Sequence, residues 1–171
     1  MTTAAQIPEL DTPRARVDIL WLLSVIFVVV AMLTSGYLSY TKLFNESVIC
    51  VENSTFDCNA VTSSVWSKFP QNNGIDVAYL GFISYTTLLV LLILEKKVGF
   101  FKQYGLYLIF GLIMFDFMFH SYLTYNSLFV LQKACIWCLA THLMAFLTLI
   151  VTTIRFWKHL SAEPSAEVQT V

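Results

Sequence analysis

Four apolar runs, each about the length that crosses a bilayer core, restrict this chain more than anything else in its sequence. They lie at about 17–40, 75–94, 104–125 and 134–154, and the first includes Leu20, Trp21, Leu22, Leu23 and the successive valines Val28, Val29 and Val30. Lipid offers no partner to a backbone N–H or C=O, so each run must satisfy its own as a helix. The expected fold is therefore an all-α membrane protein, a four-transmembrane-helix bundle. Only 12% of the 171 residues are charged, against about a quarter in a soluble domain. One membrane domain over 17–158 accounts for the chain, with disordered cytoplasmic tails at 1–16 and 159–171. The first run is too long for a signal-peptide core, follows Glu9 and Asp11, and lacks a small-x-small cleavage site, so it reads as a permanent helix.

Lysine and arginine orient the bundle. Arg14, Arg16, Lys96, Lys97, Lys102, Arg155 and Lys158 fall on the side of the two ends and the 95–103 loop. Lys42, Lys68 and Lys133 fall on the other. Seven against three places both ends in the cytoplasm. The longest connection, 41–73, then lies outside, and its stretch Asn59–Phe69 reads as a short amphipathic helix. Val61, Val65 and Phe69 recur every fourth residue with Trp66 beside them, so the helix would lie on the membrane and roof a cavity between the spans. Asn45 and Asn53 sit in glycosylation sequons, a cheap motif that matters only in a eukaryotic secretory compartment. A net charge of −1, with no basic patch interleaved with aromatics, argues against nucleic acid as a partner.

All four cysteines fall on the outer side, which suits an oxidising compartment. Cys135 and Cys138 open the fourth run, where i and i+3 positions share a helix face and a helix N-terminus favours a thiolate. Such a dithiol suits two-electron thiol–disulfide exchange, and at the head of a membrane span its natural acceptor is lipid-soluble. Cys50 and Cys58 sit in the outer loop, so the two pairs suggest a relay from a soluble dithiol through the loop to the helix. Two structural disulfides in a non-catalytic tetraspan protein are the bland alternative, although an i,i+3 bridge closes too little chain to be a useful staple. Zinc is the other, weakened because Cys50-x7-Cys58 is not a Cys-x-x-Cys knuckle, and no metal is expected.

With Ser63-Ser64 and Trp66 after the second cysteine, Gly74-Ile75 leading to Leu80-Gly81, and Cys135-x-x-Cys138 opening the last span, the sequence resembles the vitamin K epoxide reductase family from about Leu20 to Ile154. The resemblance implies a bundle around a quinone, with electrons arriving from a thioredoxin-like protein. It implies that Cys138 faces the quinone, that Cys135 forms a transient bridge with Cys58, and that Cys50 exchanges with the partner. It also places Ser64 and Trp66 in the roof of a quinone pocket. Where the animal enzymes carry an asparagine four residues before the second-span glycine, this chain has Val77, and four residues after the last cysteine, where they carry a tyrosine, it has His142. Those departures favour a bacterial-type, standalone enzyme of the cell (inner) membrane over vitamin K epoxide reduction in an ER membrane. The quinone would be ubiquinone or menaquinone, and the thioredoxin-like partner a separate protein.

Other polar residues fall inside the spans. His142, one turn below Cys138, could donate to a quinone oxygen or bond a neighbouring helix. Asp76 could stand in for the missing asparagine. Asp116 and His120, at i and i+4, suit a pair that bond each other and close the bundle, against the functional default for intramembrane ionisable groups.

Overall fold

The computed structural model describes residues 13–162 other than Asn72, without the side chains of 13–18, 99–103 and 162. The elements are α1 (Pro13–Leu43), a short α2 (Cys58–Ser63), a 3-10 turn (Val65–Ser67), β1 (Lys68–Phe69), β2 (Ile75–Asp76), α3 (Val77–Lys97), α4 (Gly99–Tyr125), a π-helical extension (Asn126–Val130) and α5 (Ile136–Ala162). Of the expected tails, 13–16 and 159–162 are helical, and the rest lies outside the described residues.

Four helical segments are long and apolar enough to cross a membrane: Ile19–Leu43, Val77–Lys97, Tyr104–Val130 and Ile136–Ser161. Each runs past the expected end of its span. Lysine, arginine and glutamate are good helix formers, so the helix outlasts the hydrocarbon stretch. The expected 95–103 loop shrinks to Val98, between α3 and α4.

The helices form a ring in which α1 and α4 each pack on both α3 and α5. Lipid tails are as apolar as leucine, so such helices are joined by close approach and hydrogen bonds rather than by a hydrophobic drive. Small residues accordingly fill the contacts: Ser24, Ala31 and Ser35 of α1 and Ala145, Thr148 and Thr152 of α5 are buried. Ser24, Ser35 and Thr148 donate their hydroxyls to the carbonyl four residues earlier, which removes the cost of burying them. Thr34 and Thr141 hydroxyls meet at 3.0 Å and tie α1 to α5. Val28, Tyr85, Leu88, Leu92, Ile109 and Ile113 make the central core. Only 17–22% of each span's most apolar window is buried inside the protein, which leaves much of each helix surface to meet lipid.

The end of the bundle away from the cysteines is held by polar contacts. Trp21 Nε1 donates to the Leu92 carbonyl at 3.0 Å, and the Lys96 ammonium lies 3.8 Å from the centre of the Trp21 ring. Arg155, expected at the interface, is instead buried and donates to Glu95 of α3. That ion pair joins two helices that do not neighbour each other in the ring.

The cysteine end is closed by the α1–α3 connection, and here the expected amphipathic helix over Asn59–Phe69 is corrected. Helix α2 stops at Ser63, and Ser64 is extended at φ −67° and ψ 161°. Serine and threonine hydroxyls compete for the carbonyls that would continue the helix. Ser64 Oγ donates to Val61 O at 2.7 Å and Ser67 Oγ to Ser64 O at 2.7 Å. The chain then enters a two-stranded antiparallel ribbon pairing Lys68 with Asp76 and Phe69 with Ile75. Of the expected apolar stripe only Val61 is buried; Val65 and Phe69 are exposed. The roof rests on α4 through edge-on aromatic pairs, Trp66 on Tyr122 and Phe69 on Phe119, with ring centroids 6.4 and 5.9 Å apart.

Gly74 makes this ribbon possible, because a Cβ there would sit 2.1 Å from the Pro70 carbonyl oxygen and 2.2 Å from the Phe69 carbonyl carbon. Both are backbone atoms that cannot swing aside. Gly74→Ala should therefore cost roughly 1–3 kcal/mol, the usual range for overpacking. The expected result is a lower midpoint of thermal unfolding and faster proteolysis between Phe69 and Ile75, with the four spans intact.

Candidate functional site

The site is assembled by backbone pairing between the outer loop and the residue that precedes the helix dithiol. Phe56 and Ala134 form a parallel bridge: Ala134 N–H donates to Thr55 O at 2.8 Å, and Asp57 N–H donates to Ala134 O at 3.0 Å. The loop is shaped for this by Asn53, whose side-chain oxygen accepts from the N–H groups of Thr55 and Phe56 at 2.9 and 2.7 Å. Lys133 Nζ donates to Ser54 O at 3.1 Å. Asp57 caps α2 by accepting from Ala60 N–H at 2.8 Å, and so fixes the start of the helix that carries Cys58.

Cys50 and Cys58 are bonded to each other, with Cα atoms 6.0 Å apart. The Cys50 strand is clamped on both sides of its backbone. Ile49 N–H donates to the Tyr37 hydroxyl at 3.0 Å, and Trp137 Nε1 donates to Ile49 O at 2.8 Å. The Tyr37 and Trp137 rings pack at 4.9 Å. Cys135 and Cys138 are free. Cys58 and Cys135 are fully buried in one apolar cluster with Leu38, Val48 and Val61, and Cys50 and Cys138 border it. The structure thus gathers all four cysteines at one point.

Cys135 stands one residue ahead of the spanning helix, as its N-cap. Its carbonyl accepts from Leu139 N–H at 3.0 Å, and its sulfur accepts from Cys138 N–H at 3.4 Å. A capping oxygen occupies that place in most helices. The Cys138 thiol and this backbone N–H stabilise the Cys135 thiolate against the opposing effect of burial, and lower its pKa to about 7.

A cavity of about 110 Å³ opens beside the dithiol. Cys135, with Cys138 and Thr141 of α5, lines one wall and His120 of α4 another. Ser64 and Trp66 close the top, and Asp76 and Val77 enter from the start of α3. Asp76 Oδ1 is buried there without a hydrogen-bond partner. His142, expected in this pocket, does not line it. It lies one helical turn, about 5–6 Å, deeper than Cys138, with its ring 5.3 Å from Phe117 and 6.4 Å from His120. His120 lines it instead. Asp116 and His120 do pair: His120 Nδ1 is 3.1 Å from the Asp116 carbonyl oxygen and 3.6 Å from Oδ1. The sequence reading missed Tyr85, fully buried in α3, whose hydroxyl donates to Asp116 Oδ2 at 2.8 Å.

Among the described residues no group of three His, Cys, Asp or Glu could hold a metal. A loop disulfide docked on a free helix dithiol, both beside a cavity between four spanning helices, defines a multi-pass membrane protein built for thiol chemistry. The model of the vitamin K epoxide reductase family matches residues 20–153, and the chain belongs to that family. No curated protein matches it at a significant level. Family membership makes it a membrane thiol–quinone oxidoreductase, a class that works with quinones and redox partner proteins.

The state of the cysteines is directly countable. Denatured, non-reduced protein should take two maleimide labels and, after reduction, four, as follows from one disulfide and two free thiols. In the folded protein, a small alkylating reagent that enters the cavity should modify Cys135 faster than Cys138 near neutral pH. Equal rates would mean that the capping hydrogen bonds do not activate it.

Proposed function

We propose that the protein takes electrons from a thioredoxin-like dithiol protein outside the cytoplasm and delivers them to ubiquinone or menaquinone, so supporting disulfide formation in exported proteins. The observation that carries this is the Phe56–Ala134 bridge, which brings Cys58 and Cys135 into one buried cluster. The steps balance. The partner's dithiol reduces Cys50–Cys58 through a mixed disulfide with Cys50. The Cys58 thiolate attacks Cys135 of an oxidised Cys135–Cys138 pair, and Cys138 leaves as a thiolate. Cys50 then attacks Cys58 and releases Cys135. The products are a Cys50–Cys58 disulfide and a free Cys135, Cys138 dithiol, the pairing present in this structure. The dithiol gives two electrons to the quinone, which takes up two protons as its hydroquinone.

The remaining assignments follow the cavity. Cys138 meets the ring, Ser64 and Trp66 hold the roof over it, and Val77 gives it an apolar contact. Asp76 Oδ1 is placed to accept a hydrogen bond from a hydroquinone hydroxyl. The excess of lysine and arginine at the opposite end, seven against three, puts the cysteines outside the cytoplasm. We place the protein in a bacterial cell membrane.

Purified protein with a small dithiol donor should reduce quinone, and Cys135→Ala or Cys138→Ala should abolish turnover. Cys50→Ala should lose exchange with a protein partner and keep some activity with a small dithiol that reaches the helix pair directly. In Cys138→Ala the Cys135 thiolate can attack Cys58 of the loop disulfide and release Cys50, and with no Cys138 to resolve the bridge from the helix side a Cys58–Cys135 disulfide should accumulate, seen by peptide mapping without reduction. Finding only Cys50–Cys58 with Cys135 free under oxidising conditions would break this order of exchange.

A further inference from the structure

The reaction leaves a proton to be found. Joining a Cys135 thiolate to a Cys138 thiol releases two electrons and one proton, whereas a quinone needs two of each. We propose that His120 supplies the second proton to the quinone oxygen, with Asp116 as its positioning residue and Tyr85 as the clamp on Asp116. This rests on the quinone-reductase reading above and extends it to the proton source.

His120 reaches the cavity that holds Cys135 and Cys138, and its side chain is only 13% exposed. Its Nδ1 is turned to Asp116, 3.1 Å from the carbonyl oxygen and 3.6 Å from Oδ1, which leaves Nε2 as the nitrogen to meet a ring oxygen. The other carboxylate oxygen takes the Tyr85 hydroxyl at 2.8 Å. An isolated charge within a membrane is costly, and a pair sharing one proton is neutral whichever partner holds it. The Asp116–His120 pair is therefore a proton store that is stable when full. Giving up the proton leaves a net negative charge in an apolar site, which drives reloading.

The cycle closes. A protonated pair, a Cys135 thiolate, a Cys138 thiol and a quinone become an emptied pair, a disulfide and a hydroquinone. The pair is refilled by the proton that the Cys50 thiol gives up as it attacks Cys58, Cys135 leaving as the thiolate, while a proton from the partner's dithiol returns Cys138 to its thiol. The other titratable or charged groups facing His120 are His142 on α5, Tyr85 on α3, and Asp76 and Lys42 at the cavity wall. None of them combines a place on the cavity with a bonded carboxylate.

The test is quinone reduction by the full chain in lipid nanodiscs, with dithiothreitol as donor and a short-chain ubiquinone as acceptor, from mildly acidic to alkaline pH. Wild-type kcat should fall on the alkaline side as the pair loses its proton. His120→Gln should lower kcat about 100-fold or more, the usual weight of a positioned acid, and remove the alkaline fall while KM for quinone changes little. Asp116→Asn should do the same, and Asp116→Glu should restore most of the rate. A wild-type profile with no alkaline fall overturns the proposal whether or not the variants fold. So does a His120→Gln enzyme with wild-type kcat, or one whose alkaline fall persists. Wild-type protein inert toward quinone, or Cys138→Ala retaining activity, would instead overturn the redox reading and this inference with it. A silent Cys138→Ala beside an unaffected His120→Gln would remove the proton donor alone.

Discussion

Two backbone hydrogen bonds across Ala134 hold the redox centre together. Ala134 N–H to Thr55 O and Asp57 N–H to Ala134 O fix the Cys58 side of the loop, and the clamp of Tyr37 and Trp137 on Ile49 fixes the Cys50 side. With them, Cys58 and Cys135 share a dry apolar cluster. Hydrogen bonds between backbone groups do not involve the sulfurs, so the docking of the loop does not depend on which cysteines are bonded. The Asp57 cap and the Asn53 turn serve that docking from within the loop.

The bundle supplies complementary rigidity. Glu95 and Arg155 cross between non-neighbouring helices at the far end, where Trp21 also grips the Leu92 carbonyl. At the cysteine end the lid is a short helix, a turn and a ribbon of two residue pairs, resting on α4 by two aromatic contacts. None of these contacts involves the central core of Leu88, Leu92, Ile109 and Ile113.

Much of this was legible in the sequence, for physical reasons. Apolar runs of membrane length leave the backbone no option but helix, so the spans were found with starts within two residues. Cysteine spacing and position identified both pairs. The roof was not legible: Val61, Val65 and Phe69 have helical spacing, but hydroxyls at Ser64 and Ser67 take the carbonyls the helix needs. The fate of Arg155 was hidden because an arginine after an apolar run looks like an interface marker until Glu95 is seen opposite. His142 and His120 could not be ranked from one-dimensional spacing, because cavity depth depends on how α4 and α5 face each other. The bond from Tyr85 to Asp116 joins residues 31 apart in sequence, and no local pattern announces it.

The N-cap at Cys135 carries one more implication. Its sulfur holds the first turn of α5 by accepting from Cys138 N–H. A sulfur shared in a disulfide carries no negative charge and is a weak acceptor. The sulfur that takes part in the thiol chemistry is therefore also the group that holds the first turn of the helix, so a change at Cys135 acts on both.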